Sequence, residues 1–447
     1  MINKLIALIL VATLITLLPF TAVAYPLDGE EESGIHRLKG YSMPAEAAKL
    51  KAGQLWHVAD VKLSLIDYQG VDFDALEQDQ ELSNAISAML SKRDASYSMV
   101  IVDYSDVENL RWAGLRPDLK QNPGSVGKLL CMTALFHALS ETFPEPAQRA
   151  ELLKNTMVQA GDWVTRESHS VPKWNAELNR NTFSVINQTD IFSLSEWIDH
   201  AISPSANAAG AIIWREAMLV KHFGKAYPVD AETRHDFFAK TSKTELASLA
   251  RSVITEPLTA AAIDTSNLQQ GSMFTSAGKQ KVPGITSFAT TRELARLMFR
   301  MEQGKLVDAW SSLQMKKYMY LTKRRYRYAY APELNDKAVY FKSGSLYACK
   351  TLEDGTLSKC GKYMGDKQNL MNSIAIVESK VESKAESEEA NSAKYIAALM
   401  SNVFGVNSAW DHSRIGAATD AMVTTRKPQT LKENASQQEI SESGKSE

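Results

Sequence analysis

The sequence predicts an α/β (α+β) fold, because strand patterns occur near both ends of the chain and helix patterns lie between and beside them. Residues 97–103 form a short apolar run with β-branched side chains, and residues 109–114 can return as its hairpin partner. Residues 339–341 and 373–377 are similar short runs near the other end, the second expected as the closing strand. The strands of one sheet are therefore expected from two distant parts of the chain.

Helices are predicted where apolar residues recur at the spacing of an α-helix. Residues 73–90 carry Leu76, Leu82, Ile86 and Leu90 on one stripe, which predicts a helix before the first strand. The other predicted helices span 125–139, 195–218 on either side of Ser205, 290–297 with Thr290 as its cap, 391–404 and 410–423.

Composition indicates a globular chain large enough for two lobes around a sizeable core. The chain has 447 residues, is 44% hydrophobic and carries a formal net charge of −2. Nothing in this charge balance indicates a nucleic-acid partner. The eight histidines are dispersed, and no His, Cys or carboxylate set has metal-ligand spacing, so we expect neither a metal nor another cofactor.

The N-terminus has the pattern of a secretory signal peptide over residues 1–24. Lys4 precedes an apolar run, and Ala22-Val23-Ala24 is a small-x-small cleavage triplet. We expect cleavage before Tyr25 and a periplasmic or secreted protein; an uncleaved membrane anchor is the alternative. No second apolar span follows, so no stable membrane span is expected after cleavage. At the other end, residues 424–447 are polar and are expected to be a disordered tail.

Three short motifs with chemical potential follow one another along the chain. They are Ser125-Val126-Gly127-Lys128, Ser205-Ala206-Asn207 and Lys342-Ser343-Gly344. The S-x-x-K pattern also occurs at Ser170 and Ser276, but Pro172 interrupts the first and the second lacks apolar periodicity, so neither is expected to begin a helix cleanly. Only Ser125 opens a buried helical pattern, on which residues i and i+3 share one face.

The ordered set resembles the S-x-x-K, S-D-N and K-T-G motifs of serine β-lactamases and penicillin-binding proteins, most closely those of class A β-lactamase-like proteins. The resemblance implies an antiparallel sheet flanked by helices, with a mainly helical lobe inserted. Residues 71–124 and 287–423 would form the α/β lobe and residues 125–286 the helical lobe. Residues 25–70 would be an N-terminal extension of unknown role, with a strand expected at 58–66.

The resemblance also implies a role for each residue of the motifs. Ser125 would be the nucleophile and Lys128, made neutral by burial, its base; Ser205 would relay a proton to the leaving nitrogen. Each residue type also favours helix caps, turns or strand edges for structural reasons alone, which is the alternative. The expected substrate-binding residues are Asn207 for the substrate amide, Lys342 and Ser343 for a carboxylate, Gly344 for close approach to the strand, and Ser345, whose N–H would complete an oxyanion hole with that of Ser125.

The implied function is a serine hydrolase that acts through an acyl-enzyme on β-lactams or on D-alanyl peptides derived from peptidoglycan. One departure from class A enzymes concerns the glutamate that activates the deacylating water: no Asp or Glu occurs between Thr265 and Arg292, and Glu256 matches that motif only in part. A D,D-peptidase or penicillin-binding protein with slow deacylation is therefore an alternative. A cell-wall binding protein without turnover is another.

The cysteines and one basic segment complete the predictions. Cys349 and Cys360 flank an Asp354-Gly355 turn, so in an exported protein we expect a hairpin disulfide, with Cys131 left free as a packing residue. Residues 323–330 interleave basic and aromatic side chains. A solvated basic edge is the favoured interpretation of this segment, and an anchor for an anionic substrate group is the alternative.

Overall fold

The computed structural model describes residues 27–165, 167–379 and 393–425. The predicted signal peptide and nearly all of the predicted tail lie outside these residues, so both stay predictions. None of the helices in the described ranges is long and apolar enough to cross a membrane.

The described residues contain twelve strands and thirteen α-helices, with short 3₁₀ turns between them. The strands are β1 (Glu77–Gln78), β2 (Ser98–Asp103), β3 (Arg111–Leu115), β4 (Met157–Gln159), β5 (Ser170–Asn175), β6 (Arg180–Val185), β7 (Ile191–Ser193), β8 (Leu268–Gln269), β9 (Phe288–Ala289), β10 (Ala338–Ala348), β11 (Gln368–Glu378) and β12 (Lys394–Asn402). The helices are α1 (Leu27–Ser33), α2 (Pro44–Ala47), α3 (Gln80–Leu90), α4 (Lys128–Thr142), α5 (Pro146–Asn155), α6 (Leu194–Ile202), α7 (Asn207–Phe223), α8 (Ala231–Lys240), α9 (Lys243–Ala260), α10 (Ser276–Lys281), α11 (Thr291–Glu302), α12 (Ala309–Tyr320) and α13 (Ala409–Thr424).

The main sheet has six strands in the order β1-β3-β2-β12-β11-β10. All neighbours are antiparallel except β1 and β3. Strands from before α4 thus pair with strands from the last third of the chain. Three two-stranded sheets, β4–β7, β5–β6 and β8–β9, accompany the helices of the middle segment. The α/β class and the antiparallel sheet expected from the sequence are confirmed, while the predicted domain boundaries stay predictions.

Both faces of the main sheet are buried. Side chains alternate along each strand, so one strand contributes residues to two cores. On β2, Val100 and Val102 face the core that contains α4, α7 and α11. Met99 and Ile101 face a second core, formed with α3 and α13. Strand β10, which carries Lys342-Ser343-Gly344, lies at one edge of the sheet, so one side of it is open to the site.

The helix predicted at 391–404 is wrong, since its described part is strand β12. Residues 395–400 are all buried, because β12 lies in the interior of the sheet with a core on either face. A continuous apolar run of this kind has no period that separates a strand from a helix. The prediction that residues 373–377 form the closing strand is also wrong. They lie on β11, and β12 follows β11 in the chain and inserts between β11 and β2.

Smaller corrections concern helix starts and the N-terminal extension. The helix predicted from residue 73 begins at Gln80, because the Asp79 side chain accepts a hydrogen bond from the Leu82 N–H and caps it there. Residues 58–66 contain no strand; 3₁₀ turns occur at Val58–Asp60 and Ile66–Tyr68. Ser276 does begin a short helix, since Thr275 caps it. The predicted cap at Thr290 is confirmed.

The N-terminal extension is fastened to the rest of the chain by buried polar contacts. The guanidinium of Arg37 donates to both carboxylate oxygens of Asp199 on α6, at 2.5 and 2.7 Å, and both side chains are buried. Ser64 donates from its N–H to Glu302 at 2.8 Å and from its hydroxyl to Glu378 at 2.7 Å. The extension therefore braces the helix that leads into the second motif.

The cysteine prediction is confirmed. Cys349 and Cys360 form a disulfide within the connection between β10 and β11. Cys131 is free and buried on α4, where burial raises the pKa of its thiol and keeps it protonated. Lys362 and Tyr363, which follow Cys360 in this connection, line the cleft described next.

Candidate active site

The first motif lies at the junction of a 3₁₀ turn and a buried helix. Gly124–Gly127 form the turn, and α4 begins at Lys128, three residues later than the sequence pattern predicts. The i and i+3 side chains of a 3₁₀ turn eclipse each other, so Ser125 and Lys128 still share one face. Ser125 is partly exposed, while Lys128 is completely buried.

The ammonium nitrogen of Lys128 has three polar neighbours at short distance. It lies 2.7 Å from Ser125 Oγ, and it donates to the carbonyl oxygen of Ser205 at 3.0 Å and to Asn207 Oδ1 at 2.9 Å. A neutral amine has two N–H donors and one lone pair. In that form the carbonyl of Ser205 and the amide oxygen of Asn207 can take both donors, and the lone pair can accept the proton of the Ser125 hydroxyl.

Burial favours the neutral form of Lys128. Desolvation lowers the pKa of Lys128 to about 7, although the nearby carboxylate of Glu167 raises it in part. The ring of Phe274 covers the nitrogen at 4.6 Å. At neutral pH a large fraction of Lys128 is therefore able to accept a proton.

The second and third motifs meet at Ser205. Its hydroxyl lies 2.7 Å from Lys342 Nζ and 3.5 Å from Lys128 Nζ, so it stands between the two lysines. Ser205 has φ of +65°, a strained value for a residue with a side chain. Burial, together with the positive charges of Lys128 and Arg327, lowers the pKa of Lys342 well below its usual value.

Two glycines allow the 3₁₀ turn and strand β10 to touch. A Cβ on Gly344 would clash with the carbonyl oxygen of Pro123 and lie 2.9 Å from the nitrogen of Val126. A Cβ on Gly124, whose φ is +54°, would lie 3.0 Å from the nitrogen of Ser345. The sequence analysis assigns Gly344 to close approach of the substrate. In the structure, the absence of a side chain at Gly344 allows strand β10 to contact the 3₁₀ turn.

A cleft of about 590 Å³ opens above this group of residues. Of the predicted site residues, Ser125, Asn207 and Ser345 line it, whereas Lys128, Ser205 and Lys342 lie beneath and Ser343 is partly buried on β10. The structure thus brings the three motifs into one hydrogen-bonded cluster. The other lining residues are Asn122, Gly124, Ser168, His169, Gln270, Ser272, Met273, Phe274, Lys279, Ser287, Leu346, Tyr347, Lys362 and Tyr363.

Several functional candidates carry no motif that sequence reasoning could use. Gln270 is 5% exposed, its side-chain oxygen is buried without a hydrogen-bond partner, and a Cβ on Gly127 would clash with that oxygen. Phe274 and the loop containing Glu167 and His169 also join the site only through folding. One feature of the sequence marks the segment that supplies Gln270 and Phe274. It has no Asp or Glu between Thr265 and Arg292, where class A enzymes carry a glutamate.

The basic segment 323–330 is not simply a solvated edge, contrary to the favoured interpretation. Arg327 donates to the carbonyl oxygens of Gly344 and Asn372, and Arg325 donates to the carbonyl oxygens of Leu334 and Lys337 at 2.6 and 2.9 Å. Arg324, Tyr326 and Tyr330 are the exposed residues of the segment, as a solvated edge would have them. The guanidinium of Arg327 adds positive charge directly behind the Lys342-Ser343-Gly344 strand.

Glu256, the partial match to a class A deacylating glutamate, lies elsewhere. It stands on α9, is 44% exposed and forms an ion pair with Lys221. Among the described residues that line the cleft there is no Asp or Glu. Likewise, no group of three or more His, Cys, Asp or Glu residues in the described ranges could hold a metal ion.

The chain resembles several solved structures and matches one family model. No curated protein shows significant sequence similarity to the chain. The chain is structurally similar to the β-lactamase from Sphaerobacter thermophilus DSM 20745, with 10% identity and a TM-score of 0.47 over 80% of this chain and 100% of that chain. It is similar to a class A β-lactamase from Bacteroides cellulosilyticus DSM 14838, with 14% identity and a TM-score of 0.48 over 77% and 96%. It is also similar to PBP-A, with 12% identity and a TM-score of 0.44 over the same shares.

The family comparison is the informative one, because it rests on sequence and spans the first and last motifs. Residues 81–356, more than half of the chain, match the model of the Beta-lactamase enzyme family. This range begins within α3 and ends beyond the Lys342-Ser343-Gly344 strand. The chain therefore belongs to the β-lactamase enzyme family.

Proposed function

We propose that the protein is a serine acyl-transfer enzyme, acylated at Ser125 by β-lactams or by D-alanyl peptides derived from peptidoglycan. The observation that carries this proposal is the environment of Lys128, a fully buried amine whose Nζ lies 2.7 Å from Ser125 Oγ. A serine hydroxyl becomes an effective nucleophile when an adjacent base takes its proton. A buried lysine with a pKa of about 7 is suited to that task at neutral pH.

The reaction would proceed in two proton transfers on one face of the cleft. Lys128 takes the hydroxyl proton of Ser125 as the oxygen attacks the amide carbonyl. Ser205, between Lys128 and Lys342, passes a proton to the leaving nitrogen as the C–N bond breaks. The N–H groups of Ser125 and Ser345 would receive the developing oxyanion, and Asn207 would orient the substrate amide.

The charges around the cleft favour a substrate that carries a carboxylate. Lys342 stands on strand β10, Arg327 lies behind that strand, and Lys279 and Lys362 line the cleft. No acidic side chain among the described lining residues opposes them. Lys342 and Ser343 would anchor the carboxylate that β-lactams and D-alanyl peptides share.

A second candidate, a D,D-peptidase or penicillin-binding protein with slow deacylation, is favoured by one observation. Hydrolysis of the acyl-enzyme needs a base that takes a proton from water. The residue on the cleft wall beside Gly127 is Gln270, which has an amide instead of a carboxylate. An amide cannot take a proton from water at neutral pH. On this hypothesis the acyl-enzyme persists, and Glu256→Gln leaves its lifetime nearly unchanged because Glu256 faces solvent on α9.

Intact-protein mass spectrometry after mixing with penicillin G tests both candidates. We expect an adduct on wild-type protein and none on Ser125→Ala. A transient adduct indicates a β-lactamase, and a persistent one indicates a penicillin-binding protein. Absence of any adduct with β-lactams and absence of cleavage of D-alanyl peptides would overturn the proposal and favour a cell-wall binding protein without turnover.

We further propose export by a cleavable signal, which rests on the sequence of residues 1–24. The mature protein would then begin at Tyr25 and be periplasmic or secreted, where the Cys349–Cys360 disulfide is favoured. N-terminal sequencing of the expressed protein checks this. An intact N-terminus found in the membrane fraction would contradict it.

A further inference from the structure

Glu167 is a buried carboxylate directly behind the wall of the cleft. Its side chain is only 1% exposed. One carboxylate oxygen accepts a hydrogen bond from the N–H of Ala208 at 2.6 Å. The other accepts from the N–H of His169 at 2.9 Å and lies 2.8 Å from the Nδ1 of the same histidine. The carboxylate therefore joins a loop from one part of the chain to the first turn of α7.

Helix α7 needs such a partner. The residue at its N-cap position is Ala206, which has no side chain that could accept a hydrogen bond from the first turn. In contrast, Ser193, Ser242 and Thr290 cap α6, α9 and α11 with their own hydroxyls. Glu167 supplies the missing acceptor from outside the helix, and its negative charge lies at the positive end of the helix dipole.

The first turn of α7 carries the groups that hold Lys128. Asn207 is its first residue, and Ser205, with its strained backbone, precedes it by two positions. Lys128 Nζ donates a hydrogen bond to an oxygen of each of them. We propose that Glu167 is a positioning residue for acylation, an inference that rests on the proposed function. Glu167 caps α7 from a neighbouring loop and so holds Ser205 and Asn207 against Lys128.

The charge of Glu167 also acts on Lys128 directly. The titratable groups that act on Lys128 are Glu167, Cys131 on its own helix and Lys342 on β10. Burial lowers the pKa of Lys128, and attraction to Glu167 raises it again. A base that is too weak transfers a proton poorly, so the carboxylate keeps Lys128 basic enough to act near neutral pH.

Two substitutions separate the hydrogen bond from the charge. Glu167→Gln keeps a carbonyl oxygen for the Ala208 N–H and removes the charge, whereas Glu167→Ala removes both. Glu177→Gln, on the exposed turn between β5 and β6, is the matched control for loss of a carboxylate. The titration of Lys128 is followed by NMR in protein with ¹³Cε-labelled lysine, which needs no substrate, and the acylation rate with penicillin G is measured across pH.

In Glu167→Gln we expect the Lys128 midpoint to move to lower pH by about half a pH unit or more. In Glu167→Ala we expect, in addition, a fall in the highest acylation rate by roughly tenfold to a hundredfold. Glu177→Gln should match wild type in both. A Lys128 midpoint unchanged in both Glu167 variants overturns the inference, even if Glu167→Ala unfolds more easily. If wild-type protein forms no adduct, the proposed function fails separately, while the NMR titration still decides the link between Glu167 and Lys128.

Discussion

At the scale of single residues, the site depends on an amine kept out of water. Among the described residues no carboxylate forms a hydrogen bond or ion pair with Lys128, and the amine donates to neutral oxygens of Ser205 and Asn207. Removing an ammonium from water costs several kcal/mol unless a counter-charge is near, so the group prefers to lose its proton. The fold therefore selects the form of lysine that can act as a base.

Ser125→Ala and Lys128→Ala should each lower the rate of acylation by at least about 10³-fold, because one removes the nucleophile and the other its base. Residues that act as one unit are not additive, so the double variant should be little worse than either single variant. Mass spectrometry of the penicillin adduct and thermal unfolding measure activity and folding together. A covalent adduct on Ser125→Ala would refute the assignment of the nucleophile.

The pH dependence of acylation should follow the neutral form of Lys128. Its pKa is lowered to about 7, and the neutral fraction grows as the pH rises through that value. The rate should therefore rise about tenfold per pH unit in acid and level off above about pH 8. Pre-steady-state acylation by penicillin G between pH 5 and 9, values chosen to bracket the pKa by about two units, checks this. A rate that falls between neutral and mildly alkaline pH would contradict a neutral lysine base.

At the scale of elements, the site is a junction between the turn before α4, the start of α7 and the edge strand β10. Turn and strand approach closely because Gly344 faces the backbone of Pro123 and Val126, and Gly124 faces the backbone of Ser345. Strand β10 is in turn fixed along its length by pairing with β11, in a register that places Gly344 opposite Asn372. The position of Lys342 relative to Ser125 is thus decided by backbone contacts as well as by side chains.

Gly344→Ala should separate β10 from the turn, because the added methyl group clashes with the carbonyl oxygen of Pro123. We expect a loss of about 1–3 kcal/mol in the free energy of unfolding and at least roughly tenfold slower acylation. Gly70→Ala is the matched control, since a Cβ there meets nothing within 4 Å. Chemical denaturation and the penicillin adduct rate measure both effects. Wild-type acylation in Gly344→Ala would show that this close approach is not needed.

At the scale of the whole molecule, the N-terminal extension connects to the helix that leads into the second motif. Arg37 and Asp199 are both buried and form two hydrogen bonds, so either charge without the other would lie uncompensated in the interior. Asp199 lies on α6, which ends just before Ser205. The extension therefore contributes to holding the Ser205 loop in place.

Arg37→Met should lower the free energy of unfolding by about 3–5 kcal/mol, because it leaves Asp199 buried and unpaired. Arg37→Met with Asp199→Leu should recover a large part of that loss, since no charge then remains. Lys240→Met, which breaks an exposed ion pair with Asp236, should cost less than about 1 kcal/mol. Urea denaturation measures all three. An Arg37→Met cost no larger than that of Lys240→Met would contradict a structural role for the buried pair.

The sequence by itself determined the parts of the protein whose signals are local. The strands at 98–103 and 338–348, the Thr290 cap, the two helices around Ser205 and the Cys349–Cys360 pair were predictable, because turn residues, caps and apolar periodicity act over a few positions. The three motifs likewise predicted which residues would meet, because a nucleophile, its base and a proton relay can act only in contact with one another.

Tertiary structure alone decided the rest. Strand β12 is a strand because two cores bury both of its faces, and its apolar run has no period that predicts this. Gln270 and Glu167 enter the site from distant segments without a motif, through a buried amide and an uncapped helix. Arg327 belongs to a segment whose role the sequence left open, and folding directs it to the carbonyl oxygens of Gly344 and Asn372. Such roles depend on the unsatisfied groups that a residue meets after folding, and no local pattern in the chain specifies those encounters.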